Sequence, residues 1–145
     1  MNFNAESISG LCTTDCVRLL RGVSHKRVMD MTDDGQLQFV FDIGAHAETK
    51  ANRIRELRFW FAEVVTPQFC ARLTLREVID KILPIKRRFF MSGEICRLLL
   101  ISRQTLRRIA REMGGVIHNR STRVTREAFA KWLESRWLGH LSAKA

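Results

Sequence analysis

Apolar residues recur along this chain at helical spacing, and one arrangement of them comes twice, 78 positions apart. At that shift Val17 falls on Ile95, Leu20 on Leu98, Val23 on Ile101, Val28 on Leu106 and Met31 on Ile109, with Ser24 on Ser102. A framework that repeats while its exposed residues change predicts one scaffold presenting two surfaces. In the first copy, Thr13 or Thr14 offers a hydroxyl to the free amides of a helix ending near residue 20. Residues 21–23 make a turn, Ser24 caps a second helix to about residue 32, and Asp33, Asp34 and Gly35 stop it. The alternation over 36–42 predicts a strand, and Arg53-Ile54 reads as its return across a loop. Residues 56–65 place Leu57, Trp60, Phe61 and Val64 at helical spacing, which predicts a closing helix.

The second copy follows the same order. Ser92 caps a first helix, Leu100-Ile101 turns the chain, and Ser102 caps a second helix to about residue 113, where Gly114-Gly115 ends it. Val116-Ile117 and Arg123-Val124 read as two short strands joined by 118–122. Thr125 caps a last helix to about residue 138 that buries Phe129, Trp132 and Leu133. Between the copies, Thr66-Pro67 breaks the chain, and Thr74 with Glu77 at the third position following forms a capping-box pattern. That box opens an amphipathic helix bearing Leu75, Val78, Ile79 and Ile82 on one face, ended by Pro84. Two roles stay open for it: cementing the copies together, or pairing with a second chain.

Charge separates the two copies. Residues 1–85 hold 11 basic and 11 acidic side chains, whereas residues 86–145 hold 14 basic and 4 acidic ones, so the whole +10 excess lies in the second. A basic half of that size suits a polyanion, whose condensed counterions are released on binding. Hydrophobic residues make up 46% of the chain, enough for compact folding, and no apolar run approaches the roughly 20 residues of a membrane span. Residues 1–10 lack the basic start and apolar stretch of a secretory signal. The four cysteines, Cys12, Cys16, Cys70 and Cys96, are scattered, and the expectation is a reduced, cytoplasmic protein with no membrane partner.

Family likeness enters at Met91-Ser92-Gly93-Glu94-Ile95-Cys96-Arg97-Leu98-Leu99, followed by Ile101-Ser102-Arg103-Gln104-Thr105-Leu106-Arg107-Arg108. This run resembles the winged helix of phage excisionases and MerR-type regulators, and Arg123-Val124-Thr125-Arg126-Glu127-Ala128-Phe129 resembles their return strand and closing helix. The expected fold is mainly α with small β wings: two tandem winged helix-turn-helix units, over 1–66 and 86–145, joined by the helix in 67–85. Two departures stand against a simple match. The long dimerising helix of a MerR-type regulator is missing here, and an excisionase typically has one unit rather than two.

Burying Leu106, Ile109, Ala110 and Met113 leaves Arg103, Arg107 and Arg111 on one outward stripe, with Gln104 beside them. Such a helix fits the major groove, where Arg grips guanine and Gln grips adenine. Arg108 flanks the stripe and would meet phosphate, as Ser102 could besides capping. The resemblance implies that Arg120 reaches the adjacent minor groove, with Arg123 in support and Asn119 beside it at the wing tip. Lys86, Arg87 and Arg88 would ride along a backbone and carry little sequence information. In the first copy, His25, Lys26, Met29 and Asp33 stand where Arg103, Gln104, Arg107 and Arg111 stand in the second. His25, Lys26 and Arg27 crowd the helix start, while Asp30 and Asp33 would repel phosphate. The first copy therefore reads either as a weaker DNA reader or as a module turned over to protein contacts.

The densest carboxylate group, Asp30, Asp33, Asp34 and Asp42, lies mostly at a helix end, and no nucleophile activator accompanies it, so no enzyme is expected. Cys12, Cys16 and His25 lack the second close pair of a zinc site, and neither metal nor cofactor is expected. The expected function is sequence-specific binding of double-stranded DNA, in transcription regulation or as an excisionase-like recombination factor of a mobile element. A second copy, an integrase or a polymerase would be further partners. The alternative is a protein-interaction adaptor whose winged helices dock partners.

Overall fold

The computed structural model describes residues 10–44, 56–70, 72–118 and 121–139. The fold is mixed α/β, not mainly α: helices pack against two small antiparallel three-stranded sheets. The first unit runs β1 (Leu11–Cys12), α1 (Thr14–Arg21), α2 (His25–Asp33), β2 (Val40–Asp42), β3 (Leu57–Trp60) and α3 (Phe61–Val65). Two helices follow, α4 (Pro67–Cys70) and α5 (Leu75–Ile82). The second unit then runs β4 (Phe89–Met91), α6 (Ser92–Leu99), α7 (Arg103–Ile109), β5 (Val116–His118), β6 (Ser121–Thr125) and α8 (Arg126–Arg136). Element order is the same in both units, and so is the pairing: the last strand is central, in orders β1-β3-β2 and β4-β6-β5.

Local chemistry explains most helix ends. The Thr13 hydroxyl accepts from the Cys16 amide at 3.3 Å, Ser24 from Arg27 at 3.1 Å, Ser102 from Thr105 at 3.1 Å and Thr125 from Ala128 at 3.2 Å. Each satisfies a donor that the first helical turn leaves free. Both bonds of the Thr74–Glu77 capping box are made, at 3.2 Å each.

Several expectations are corrected. Ser92 does not cap α6; Met91 holds that position, and the Ser92 hydroxyl accepts from the Thr122 amide at 2.7 Å, pinning α6 to β6. Strand β2 begins at Val40 rather than 36, since the Phe39 amide donates to a Glu63 carboxylate oxygen instead of a ladder partner. Arg53 and Ile54 lie outside the described residues, and the return strand is Leu57–Trp60, inside the stretch expected to be helix. All four of those residues are buried, so the alternation that marks a half-buried strand is missing. Trp60 therefore ends a strand, whereas Trp132 sits within α8. Helix α7 stops at Ile109, short of 113, and α8 at Arg136, short of 138. Strands β1 and β4 make each expected two-stranded pair part of a three-stranded sheet.

The units are packed into each other. One apolar cluster combines Leu11, Phe39, Phe41, Ile43 and Trp60 of the first unit with Phe90, Ile95, Leu106, Phe129 and Leu133 of the second. Val78, Ile79, Ile82 and Leu83 of α5 and its end complete it. Of the two roles left open for α5, cementing the copies is thus the one observed. Its Asp80 also takes the Arg126 guanidinium at 2.8 Å. Beyond α8, Trp137 bridges to Phe41, and the Leu138 amide donates to the Val40 carbonyl at 2.9 Å, extending the first sheet past β2. A smaller cluster around Val17, Val28, Leu37, Phe59 and Phe61 is built from the first unit, with Leu138 from beyond α8 packed against it.

Candidate nucleic-acid interface

Helix α7 is aimed by what it buries. Leu106 and Ile109 face the core with Met113 beyond them, and the opposite side carries Arg103, Gln104, Arg107 and Arg108, all exposed. Arg111 is exposed as well, but it lies in the turn past the helix, where the chain tightens toward Gly114. The Gly115 amide donates to the Ala110 carbonyl at 2.8 Å, folding β5 back beside α7. That reversal requires glycine: a Cβ at 115 would lie 2.9 Å from the Ala110 oxygen and 2.8 Å from a Thr122 methyl.

Most arginines with structural work have a carboxylate. Arg87 pairs with Glu94, Arg126 with Asp80, Arg136 with Glu112, Arg76 with Glu134 and Arg18 with Asp15. Among the described residues, Arg103, Arg107, Arg108 and Arg111 have no carboxylate within 4 Å. Four guanidiniums on one surface without counter-charge, each with five fixed donors, make a ready anion-binding row. Among the described residues, Arg108 donates to the Thr105 hydroxyl at 3.4 Å. Arg103 turns back along α6, with its guanidinium 3.8 Å from where a Cβ at Gly93 would be. Burial pushes the Cys96 thiol up, and the nearby Arg103 charge partly offsets that.

Around this row the remaining expected residues are placed unequally. Ser102 caps α7 and shares its hydroxyl with Thr105 at 3.0 Å. Arg123 is exposed on β6 and stacks over the Phe89 ring, its guanidinium carbon 3.6 Å from the centroid. Asn119 and Arg120 lie outside the described residues. Lys86, Arg87 and Arg88 precede β4 and are exposed, but Arg87 is partly neutralised by Glu94 and leans over Phe90. In the first unit His25, Lys26 and Arg27 are exposed at the start of α2, while Met29 is half-buried.

Compared with protein-family models, curated proteins and solved structures, the chain has no match. Among the described residues, no three His, Cys, Asp or Glu side chains converge as metal ligands. Asp42 is separated from the helix-end aspartates by its burial, accepting the Gly44 and Glu56 amides at 3.1 and 3.2 Å. Burial, with the Cys16 thiol beside it, pushes the Cys12 thiol far above its ordinary range. None of the described helices is long and apolar enough to cross a membrane.

One residue beside the site escaped the sequence reading. Arg58, in β3 of the first unit, is only 5% exposed, and its guanidinium reaches the end of α6 in the second. The available signal was an arginine inside the apolar run Leu57–Trp60, since a charge is seldom buried without partners.

Proposed function

We propose that this chain is a sequence-specific duplex-DNA-binding protein built of two winged helix-turn-helix units, acting in transcription regulation or as an excisionase-like recombination factor. The observation that carries this reading is the uncompensated arginine row of α7, exposed opposite the buried Leu106 and Ile109. Arg103, Gln104 and Arg107 would enter the major groove, because a helix presenting bidentate donors can read base edges there. The β5–β6 hairpin would lie along the neighbouring minor groove, with Arg123 as its described cation. Lys86 and Arg88 would follow a phosphate backbone.

The deciding experiment is selection of duplexes from a randomised pool, followed by fluorescence anisotropy at rising salt. With roughly five phosphates neutralised, log K should fall against log salt with a slope near −4 to −5. No binding to any duplex at low salt would leave the adaptor reading. One observation favours that second reading at the first unit: Leu19 on α1 is 85% exposed, where the matching residue of α6 is Arg97.

A further inference from the structure

We infer that the first unit sets the reading geometry of the second, and that Arg58 is the positioning residue through which it does so. This rests on the DNA reading above. Helix α6 is capped at its C-terminal end by Leu100, a non-glycine residue in the left-handed region, φ 57° and ψ 50°. Only Ile101 and Ser102 then separate it from α7. Any relaxation of Leu100 toward ordinary backbone would swing α7 and its arginines, since two residues leave no slack to absorb the change. A leucine side chain makes that relaxation favourable, because its Cβ crowds the following carbonyl in this conformation. In the first unit the matching turn uses Gly22, φ 63° and ψ 40°, which meets no such penalty.

The Leu100 and Ile101 amides both donate to the Cys96 carbonyl within the second unit, and the further hold on Leu100 comes from the other unit. Arg58 Nε donates to the Leu99 carbonyl at 2.7 Å, and Nη2 donates to the Leu100 carbonyl at 2.9 Å. Nη1 donates to the Leu57 carbonyl at 2.8 Å and Nη2 also to the Glu56 carboxylate at 2.9 Å, so each of the three guanidinium nitrogens has a partner. A cation at the C-terminal end of α6 is also favoured by the helix dipole. The planar fork binds two consecutive carbonyls at once and thereby fixes the peptide between them. The first unit's sheet is thus a brace for the turn that aims α7, whatever its own α2 does.

The test uses the full chain and the duplex that the wild-type protein selects from a randomised pool, with a random-sequence duplex as the second probe. R58Q should weaken the selected duplex about tenfold, the loss expected when one bidentate base contact is misplaced. Binding to the random duplex at low salt should hardly change, because every cation of the second unit remains. In the free protein, amide exchange over 101–106 should accelerate. Adding L100G to R58Q should restore both readouts, since glycine keeps the turn without a brace. If R58Q does not fold, R58K serves instead: it keeps the charge but cannot span both carbonyls. Equal loss on both duplexes, or exchange over 101–106 unchanged, would overturn the inference. A wild-type protein that prefers no duplex would sink the DNA reading itself, while the exchange measurement still reports on the brace.

Discussion

Arg58 and Arg123 occupy the same place in two copies of one fold and do opposite things. Each lies two residues before the end of the central strand, where Trp60 and Thr125 lead into the helix that follows and pair with Leu11 and Phe89. Arg58 is buried and joined to the neighbouring unit, whereas Arg123 is exposed and rests on an aromatic ring. The turns differ in the complementary sense. Gly22 adopts its left-handed conformation unaided, and Leu100 adopts it with Arg58 attached. The two units share one element order and strand pairing, and burial of one sheet face against the neighbouring unit makes them unequal. The first unit has one sheet face covered by the second, and the second has a turn bonded from outside.

That contrast can be broken most severely at the arginines. Arg58→Gln should destabilise the protein by roughly 3 kcal/mol, because it leaves the Leu57, Leu99 and Leu100 carbonyls without their charged donor. Arg123→Gln should cost less than about 1 kcal/mol, the scale of an exposed cation–π contact. Urea unfolding of both variants checks this, and equal losses would erase the asymmetry. On the binding side, Arg107→Ala should weaken the selected duplex by about 1–3 kcal/mol. The matching Met29→Ala should leave it within about 0.5 kcal/mol, as expected for a residue making no base contact. An anisotropy titration in which Met29→Ala cost as much would make the first unit a reader in its own right.

The turns give a smaller test. Gly22→Leu should cost about 1–2 kcal/mol, the penalty of a side chain in left-handed backbone. Leu100→Gly should gain at most about 1 kcal/mol, since relief of strain is offset by a more flexible unfolded chain. Thermal melts of the two single variants should therefore move in opposite directions.

The smallest effect is set by pH. Burial raises the Glu63 carboxyl above its ordinary range, against the opposing pull of the Phe39 and Gln38 amides. The folded protein consequently holds that proton to higher pH than the unfolded chain. Its stabilising share is complete below the unfolded carboxyl's range and is lost as pH rises through the folded one. The melting temperature of wild type relative to Glu63→Gln should fall as pH climbs from acid to neutral. Ala128 stands at the corresponding place in α8 and has nothing to titrate. A difference independent of pH would show that Glu63 ionises in the fold as freely as it does unfolded.

Features fixed within one helical turn were legible in the sequence. Caps at Thr13, Ser24, Ser102 and Thr125 depend on a hydroxyl three residues from an amide, and α7's outward face depends on three- and four-residue spacing. Strands β1 and β4 were not legible, because two or three residues carry no period. Strand β3 was misread because both faces of its sheet are covered, one by its own unit and the other by its neighbour. Ser92 has every local mark of a cap, yet Thr122, distant in sequence, takes its hydroxyl. The arginine row of the site could be read in advance; its bracing could not, since Arg58 and Leu100 meet only when the units pack.

The tail beyond α8 carries a consequence for biosynthesis. Strand β2 borders its sheet, and the groups that close that border, Trp137 and Leu138, are made almost a hundred residues later. A nascent chain that has emerged only through β3 displays an open strand edge, the kind of template on which chains add to one another. Folding of the leading portion is thereby coupled to completion of the trailing one, and a stalled ribosome would release an aggregation-prone fragment rather than a half-working protein.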